Sequence, residues 1–154
     1  MPVPLPTVLS VIALFHTEDG RYLMQLRDST KGIWFPRMWC LFGGGVKAGE
    51  NPVEALRREI KEELDFVPET FSYFSRVGYE VPDFAPSISH RYAYESRITQ
   101  ADVDGMVQHE GAGKRLMSVE DILSGKYPII GPDLVILHLH LIACGIIPAP
   151  DPAL

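Results

Sequence analysis

Apolar and polar positions along this chain repeat with two different periods, and the switches between them outline its elements. Residues 7–16, TVLSVIALFH, are apolar almost throughout, as in a strand covered on both faces. Glu18, Asp19 and Gly20 then supply a turn, and a second strand at 21–27 completes a predicted hairpin. A loop at 28–37 carries Lys31, Trp34, Phe35 and Pro36, and a short strand at 38–42 runs into Gly43, Gly44 and Gly45. Near residue 51 the period becomes helical. Asn51 is placed as N-cap, Pro52 suits the first helical position, and Glu54 completes a capping-box pattern. Val53, Leu56, Ile60 and Leu64 recur at spacings of three and four, a narrow stripe that faces a core.

Beyond the helix, strands are predicted at 70–81 and 88–98, with a turn at 82–86 between them and a polar loop at 99–113 after them. Leu116 and Met117 form a last short strand. Ser118 caps a brief helix over 119–123, and 132–144 is an apolar closing helix stopped by Gly145. Strands on both sides of one helix, with a second long helix, predict an α/β protein in which helices sandwich a mixed β-sheet. A single domain spanning 1–154 is expected, with 1–6 and 148–154 as extended arms.

Composition narrows the function classes. Apolar residues make up 46% of the 154 and charged residues 22%, ordinary values for a soluble globular protein. A formal net charge of −6 with no Lys/Arg run disfavours binding along nucleic acid. Cys40 and Cys144 make no disulfide framework and no C-x-x-C pair, so reduced thiols in the cytoplasm are the expectation. The apolar run at 8–15 lacks a positive leader and reads as a strand rather than a signal peptide, and no apolar stretch reaches membrane-spanning length.

Candidate chemistry concentrates in residues 43–66, GGGVKAGENPVEALRREIKEELDF. Glu59, Glu62 and Glu63 lie three and four apart, so their side chains rise from one neighbouring face. Their repulsion, about 0.2–0.5 kcal/mol per pair, is small enough for Arg57, Arg58 and Lys61 to offset. Alone, such a cluster is usually a solvated acidic face. It also offers hard oxygen donors of the kind that Mg²⁺ or Mn²⁺ prefers.

The spacing reverses the balance. Gly44, five residues, Glu50, seven residues, then Arg58-Glu59-Ile60-Lys61-Glu62-Glu63-Leu64-Asp65-Phe66 resembles the Nudix box, G-x5-E-x7-R-E-U-x-E-E-x-G-U with U apolar. The one departure is Asp65 in place of glycine at the helix end. A left-handed residue is wanted there, and Asp tolerates that better than most.

The resemblance implies a Nudix-type α/β/α sandwich and a metal-dependent pyrophosphohydrolase acting on a nucleoside diphosphate derivative. By it, Glu59, Glu62 and Glu63 hold Mg²⁺ or Mn²⁺, with the Gly44 carbonyl as a further ligand. Glu50 and Arg58 then form a supporting ion pair that locks the loop to the helix. Glu110 lies in a loop resembling the one that supplies an extra carboxylate in MutT-type members, and stands as fourth ligand or catalytic base. Glu62 is the competing base, and Glu63 belongs to the same catalytic set. Arg27 is placed like the family's phosphate-contacting arginine, while Trp34 and Phe84 are candidates for a base-stacking wall. His138 and His140, two apart, cannot share a helix face and make a poor metal pair between themselves.

The expected partner is a small nucleotide: a nucleoside triphosphate, ADP-ribose or a nucleotide sugar. The apolar last helix and the proline-rich arm are the surfaces on which a homodimer would form. The alternative is a non-catalytic regulatory Nudix module that binds a nucleotide as signal. The intact Glu59, Glu62 and Glu63 set argues against it.

Overall fold

A computed structural model describes residues 4–30, 32–81 and 85–153. In chain order the elements are β1 Thr7–His16, β2 Tyr22–Leu26, β3 Trp39–Cys40, β4 Phe42–Gly45, α1 Pro52–Leu64, β5 Ser72–Val81, β6 Ala85–Arg97, α2 Gln100–Gly105, β7 Gly113–Met117, α3 Val119–Leu123 and α4 Gly131–Ala143. Seven strands make one mixed sheet, with order β3-β2-β1-β6-β5 and with β4 on β1 and β7 on β2. β1 runs parallel to β6 over its whole length, and on its other side meets β4 and then, at His16, β2.

β1 alternates between two cores. Val11, Ala13 and Phe15 pack with Ala55, Leu56, Ile60 and Leu64 of α1, whereas Ile12 and Leu14 pack with Ile136, Leu137 and Leu141 of α4. Helices therefore cover both faces of the sheet, the α/β/α arrangement expected. From Val11 to Phe15 the strand is buried on both faces, which is why that part is a continuous apolar run without a polar period. Among the described residues no helix is long and apolar enough to cross a membrane.

Two parts differ from expectation. The stretch at 99–113 was expected as loop but contains α2, whose N-cap Thr99 and N3 residue Asp102 form a capping box, with Val103 the buried anchor. Polar composition hid it, because two apolar residues in six, Ala101 and Val103, set two apart, give no helical period. The strand at 38–42 is instead β3 and β4, which pair with different neighbours, β2 and β1. Pro82, Asp83 and Phe84, at the expected turn after β5, lie outside the described residues.

Candidate functional site

The carboxylates of α1 are held by a helix with defined ends. Asn51 accepts from the Glu54 N–H at 3.0 Å, and Glu54 reaches back to Asn51 N. At the other end Asp65 caps in the left-handed conformation, φ 49°, and its N–H closes on Lys61 O.

The preceding loop approaches closely because it has no side chains in two places. A Cβ at Gly43, where φ is +142°, would overlap the backbone of β1, and a Cβ at Gly44 would overlap the Glu59 carboxylate. Gly45 has open space around it, so close approach does not explain that glycine.

Arg58 fastens this loop to the helix. Its Nε and Nη2 donate to the two Glu50 oxygens at 2.6 and 2.9 Å, and Nη2 also reaches Gly45 O at 3.0 Å. Nη1 donates to Glu59 at 2.7 Å and to Glu62 at 3.4 Å. The Arg58 bonds, joined by the Lys47 N–H, hold the Glu50 carboxyl down at about 2.

The three glutamates do not share one face. Glu63 turns inward and is 4% exposed, accepting from Gly43 N at 3.0 Å. Glu59 sits at the rim, and Glu62 points outward, 53% exposed. Adjacent residues on a helix diverge by roughly 100°, so Glu62 and Glu63 separate. Glu63 follows Leu56 by seven residues and Ile60 by three, which places it within the apolar stripe itself.

A cavity of about 310 Å³ opens beside Glu63. It gathers Arg27, Gly44, Glu59, Glu63 and Glu110, five of the residues singled out by sequence. Glu62 and Trp34 are not among its lining, and Phe84 lies outside the described residues. Trp34 meets the site through its backbone, its carbonyl accepting from Arg27 Nε at 2.6 Å.

Glu110 is carried by a segment tied on both sides: His109 N donates to Glu63 O, and Ala112 N to Leu26 O, both at 2.8 Å. The Glu110 carbonyl accepts from Gln25 Nε2 at 3.1 Å. Burial pushes the Glu63 carboxyl up to about 8, reinforced by Glu110 and Glu59 and opposed by the Gly43 N–H.

Sequence reasoning missed the far wall. Arg91 of β6 lines the cavity and pairs with Asp133, a fully buried acid of α4 that also accepts from Leu41 N at 2.8 Å. Part of the signal was present as an acid in the first turn of an apolar helix, whereas the place of Arg91 opposite Ser10 follows only from the strand register. Cys40 also lines the cavity, and burial first of all pushes its thiol up to about 12, so it is no nucleophile at neutral pH.

Comparison with known proteins gives a consistent neighbourhood. A family model described as NUDIX domain matches residues 6–134. Nucleoside triphosphatase NudI of Escherichia coli O139:H28 is 48% identical over 70 residues, 41% of this chain and 49% of that protein. The match thus spans about half the length of that curated relative. Among solved structures, a MutT protein from Methanosarcina mazei superposes with TM-score 0.75 at 18% identity, covering 94% of this chain and 99% of the other. A MutT NUDIX hydrolase from Burkholderia pseudomallei gives 0.72 at 19%, covering 86% and 97%. At those identities the likeness is one of fold.

Proposed function

Since the chain belongs to the NUDIX domain family, we propose that it is a divalent-cation-dependent pyrophosphohydrolase acting on a nucleoside triphosphate or a related nucleoside diphosphate derivative. The observation that carries this reading is one cavity lined by four carboxylates, Asp28, Glu59, Glu63 and Glu110, and by two guanidinium groups, Arg27 and Arg91. The half-length likeness to a nucleoside triphosphatase makes triphosphates the first substrates to test.

The donor set fits a hard cation. Glu63 is buried beside two other acids, a placement that strongly favours a neutralising charge, and all the acidic donors are oxygen. Glu59 and Glu63, with the Gly44 carbonyl, are the residues that would hold Mg²⁺ or Mn²⁺. Such an ion, when bound, neutralises the diphosphate and acidifies a water.

The chain's own residues do the rest. Arg27 orients phosphate oxygens, a task suited to the planar guanidinium, while Arg91, held by Asp133, builds the far wall. Glu50 and Arg58 keep Gly44 and Glu59 in place, and Glu62, outward and bonded to Arg58, supports that pair. Glu110, at the exposed rim, takes the proton from the attacking water.

The test is a panel of nucleoside triphosphates, ADP-ribose and nucleotide sugars with Mg²⁺ or Mn²⁺, scored for diphosphate-bond cleavage and repeated in chelator. Metal-dependent cleavage that falls at least about 100-fold in Glu110→Gln supports the proposal with its base. Nucleotide binding without turnover would instead make this a regulatory module.

A further inference from the structure

A second group of ligating side chains lies away from the cavity, where the C-terminal part of α4 meets the ends of β1 and β6. We propose that His16, Glu95, His140 and Cys144 form a binding site for a transition-metal ion of the zinc class, tying the end of α4 to the sheet.

Backbone geometry converges on this point. Leu14 pairs with Glu95 and His16 with Arg97 in the parallel β1–β6 register, so His16 and Glu95 are near neighbours across two adjacent strands. Ile12, Leu14 and Ala93 pack in the α4-side core, and positions 16 and 95 continue those alternations on the same face. His140 and Cys144 are four apart on α4 and share a helix face.

The side chains then meet. One ligand atom from each of His16, Glu95 and His140 lies within 4.8 Å of the others. His140 Nε2 is 2.7 Å and His16 Nε2 3.7 Å from Glu95 Oε2, and Cys144 Sγ is 3.8 Å from His140 Nε2. Tetrahedral zinc, with bonds of about 2.0–2.3 Å, separates its nitrogen and oxygen ligands by about 3.3 Å and nitrogen from sulfur by about 3.6 Å. The two histidine–Glu95 separations bracket the nitrogen–oxygen value, and the Cys144–His140 separation lies close to the nitrogen–sulfur one, with Cys144 at the margin of the three-residue cluster.

The surroundings suit metal as well. Tyr22 Oη is 2.7 Å from His140 Nδ1, the outer partner that orients a ligating imidazole and leaves Nε2 to face Glu95. His140 is 1% exposed, with the Phe74 ring 4.9 Å away, while Glu95 and Cys144 reach solvent and give an ion its path in. Nitrogen and sulfur donors select zinc-class ions, whereas the carboxylates of the cavity favour Mg²⁺ or Mn²⁺. The two sites therefore differ in what they take.

The full chain, stripped with chelator, is titrated with Co²⁺ in excess Mg²⁺ and then with Zn²⁺. The expected result is one equivalent of Co²⁺ with visible tetrahedral absorption and a near-ultraviolet thiolate band, both displaced by Zn²⁺. Cys144→Ser should remove the thiolate band, and His16→Gln should weaken Co²⁺ binding at least about tenfold. Cys144 is exposed, so loss of fold does not obscure the reading of its variant. Glu63→Gln should leave these spectra unchanged, which separates this site from the cavity. Octahedral absorption only, spectra unaltered in both variants, or spectra lost in Glu63→Gln would each overturn the proposal.

Discussion

Two carboxylates are buried on opposite sides of the sheet, Glu63 from α1 and Asp133 from α4, and each accepts a backbone N–H from residues 41–43. Asp133 also has Arg91 as ion-pair partner. Glu63 instead faces Glu59 and Glu110, and its carboxyl is pushed up to about 8 chiefly by burial. The difference lies in the neighbours, since both acids are almost fully out of water. An acid paired with a guanidinium is a finished structural unit, whereas one buried among acids leaves a place for positive charge from outside.

The largest effect should come from breaking the finished unit. Asp133→Ala leaves Arg91 buried without its partner and Leu41 N without an acceptor, a loss of about 3–5 kcal/mol. Denaturant unfolding measures it. The comparison fails if the loss is under about 1 kcal/mol, a value ordinary for surface pairs.

Glu63→Gln should do the opposite. The amide still accepts from Gly43 N, so folding in chelator is retained while turnover falls. Removing an outer partner of a metal ligand costs about 10–100-fold, so removing the ligand itself should cost at least about 100-fold. A variant that unfolds in parallel with its loss of activity would make Glu63 structural, like Asp133.

A pH series sharpens the same point without touching Asp133. The Glu63 carboxyl moves from an ordinary 4.5 to about 8 in the folded chain. The folded state therefore holds the proton more tightly than the unfolded one. That contribution is complete below about 4.5 and is lost as pH rises through about 8. Without metal, stability should fall across this window by a few kcal/mol more in wild type than in Glu63→Gln. Parallel curves for the two proteins would remove the contrast.

Much of this was legible in the sequence. The capping box at Asn51 follows from local spacing, the left-handed ending at Asp65 and the Arg58–Glu50 clamp from the resemblance to the Nudix box, and each is present. The burial of Glu63 and exposure of Glu62 were legible too, since Glu63 sits seven residues after Leu56, in the buried stripe. Treating the acids as one face missed both. Arg91–Asp133 and the His16–Glu95–His140 cluster join residues 42 or more positions apart. No local period carries such pairings; they depend on the parallel β1–β6 register and on how α4 lies across it.

The smallest effect belongs to an acid that is neither buried nor near the cavity. Asp65 ends α1 with φ at +49°, strained for a side chain and free for glycine. Its charge also stands at the negative end of the helix, which is unfavourable. Against these stands the bond from Lys61, which holds the Asp65 carboxyl below its usual range but is exposed and so stabilises little. Two modest gains outweigh one screened loss, so Asp65→Gly should raise Tm slightly, by less than about 3 °C. Turnover should not change, because the helix register that places Glu59 and Glu63 is set upstream by the Asn51 cap and by Arg58. A lower Tm would show that the Lys61 pair, rather than backbone strain, governs how α1 ends.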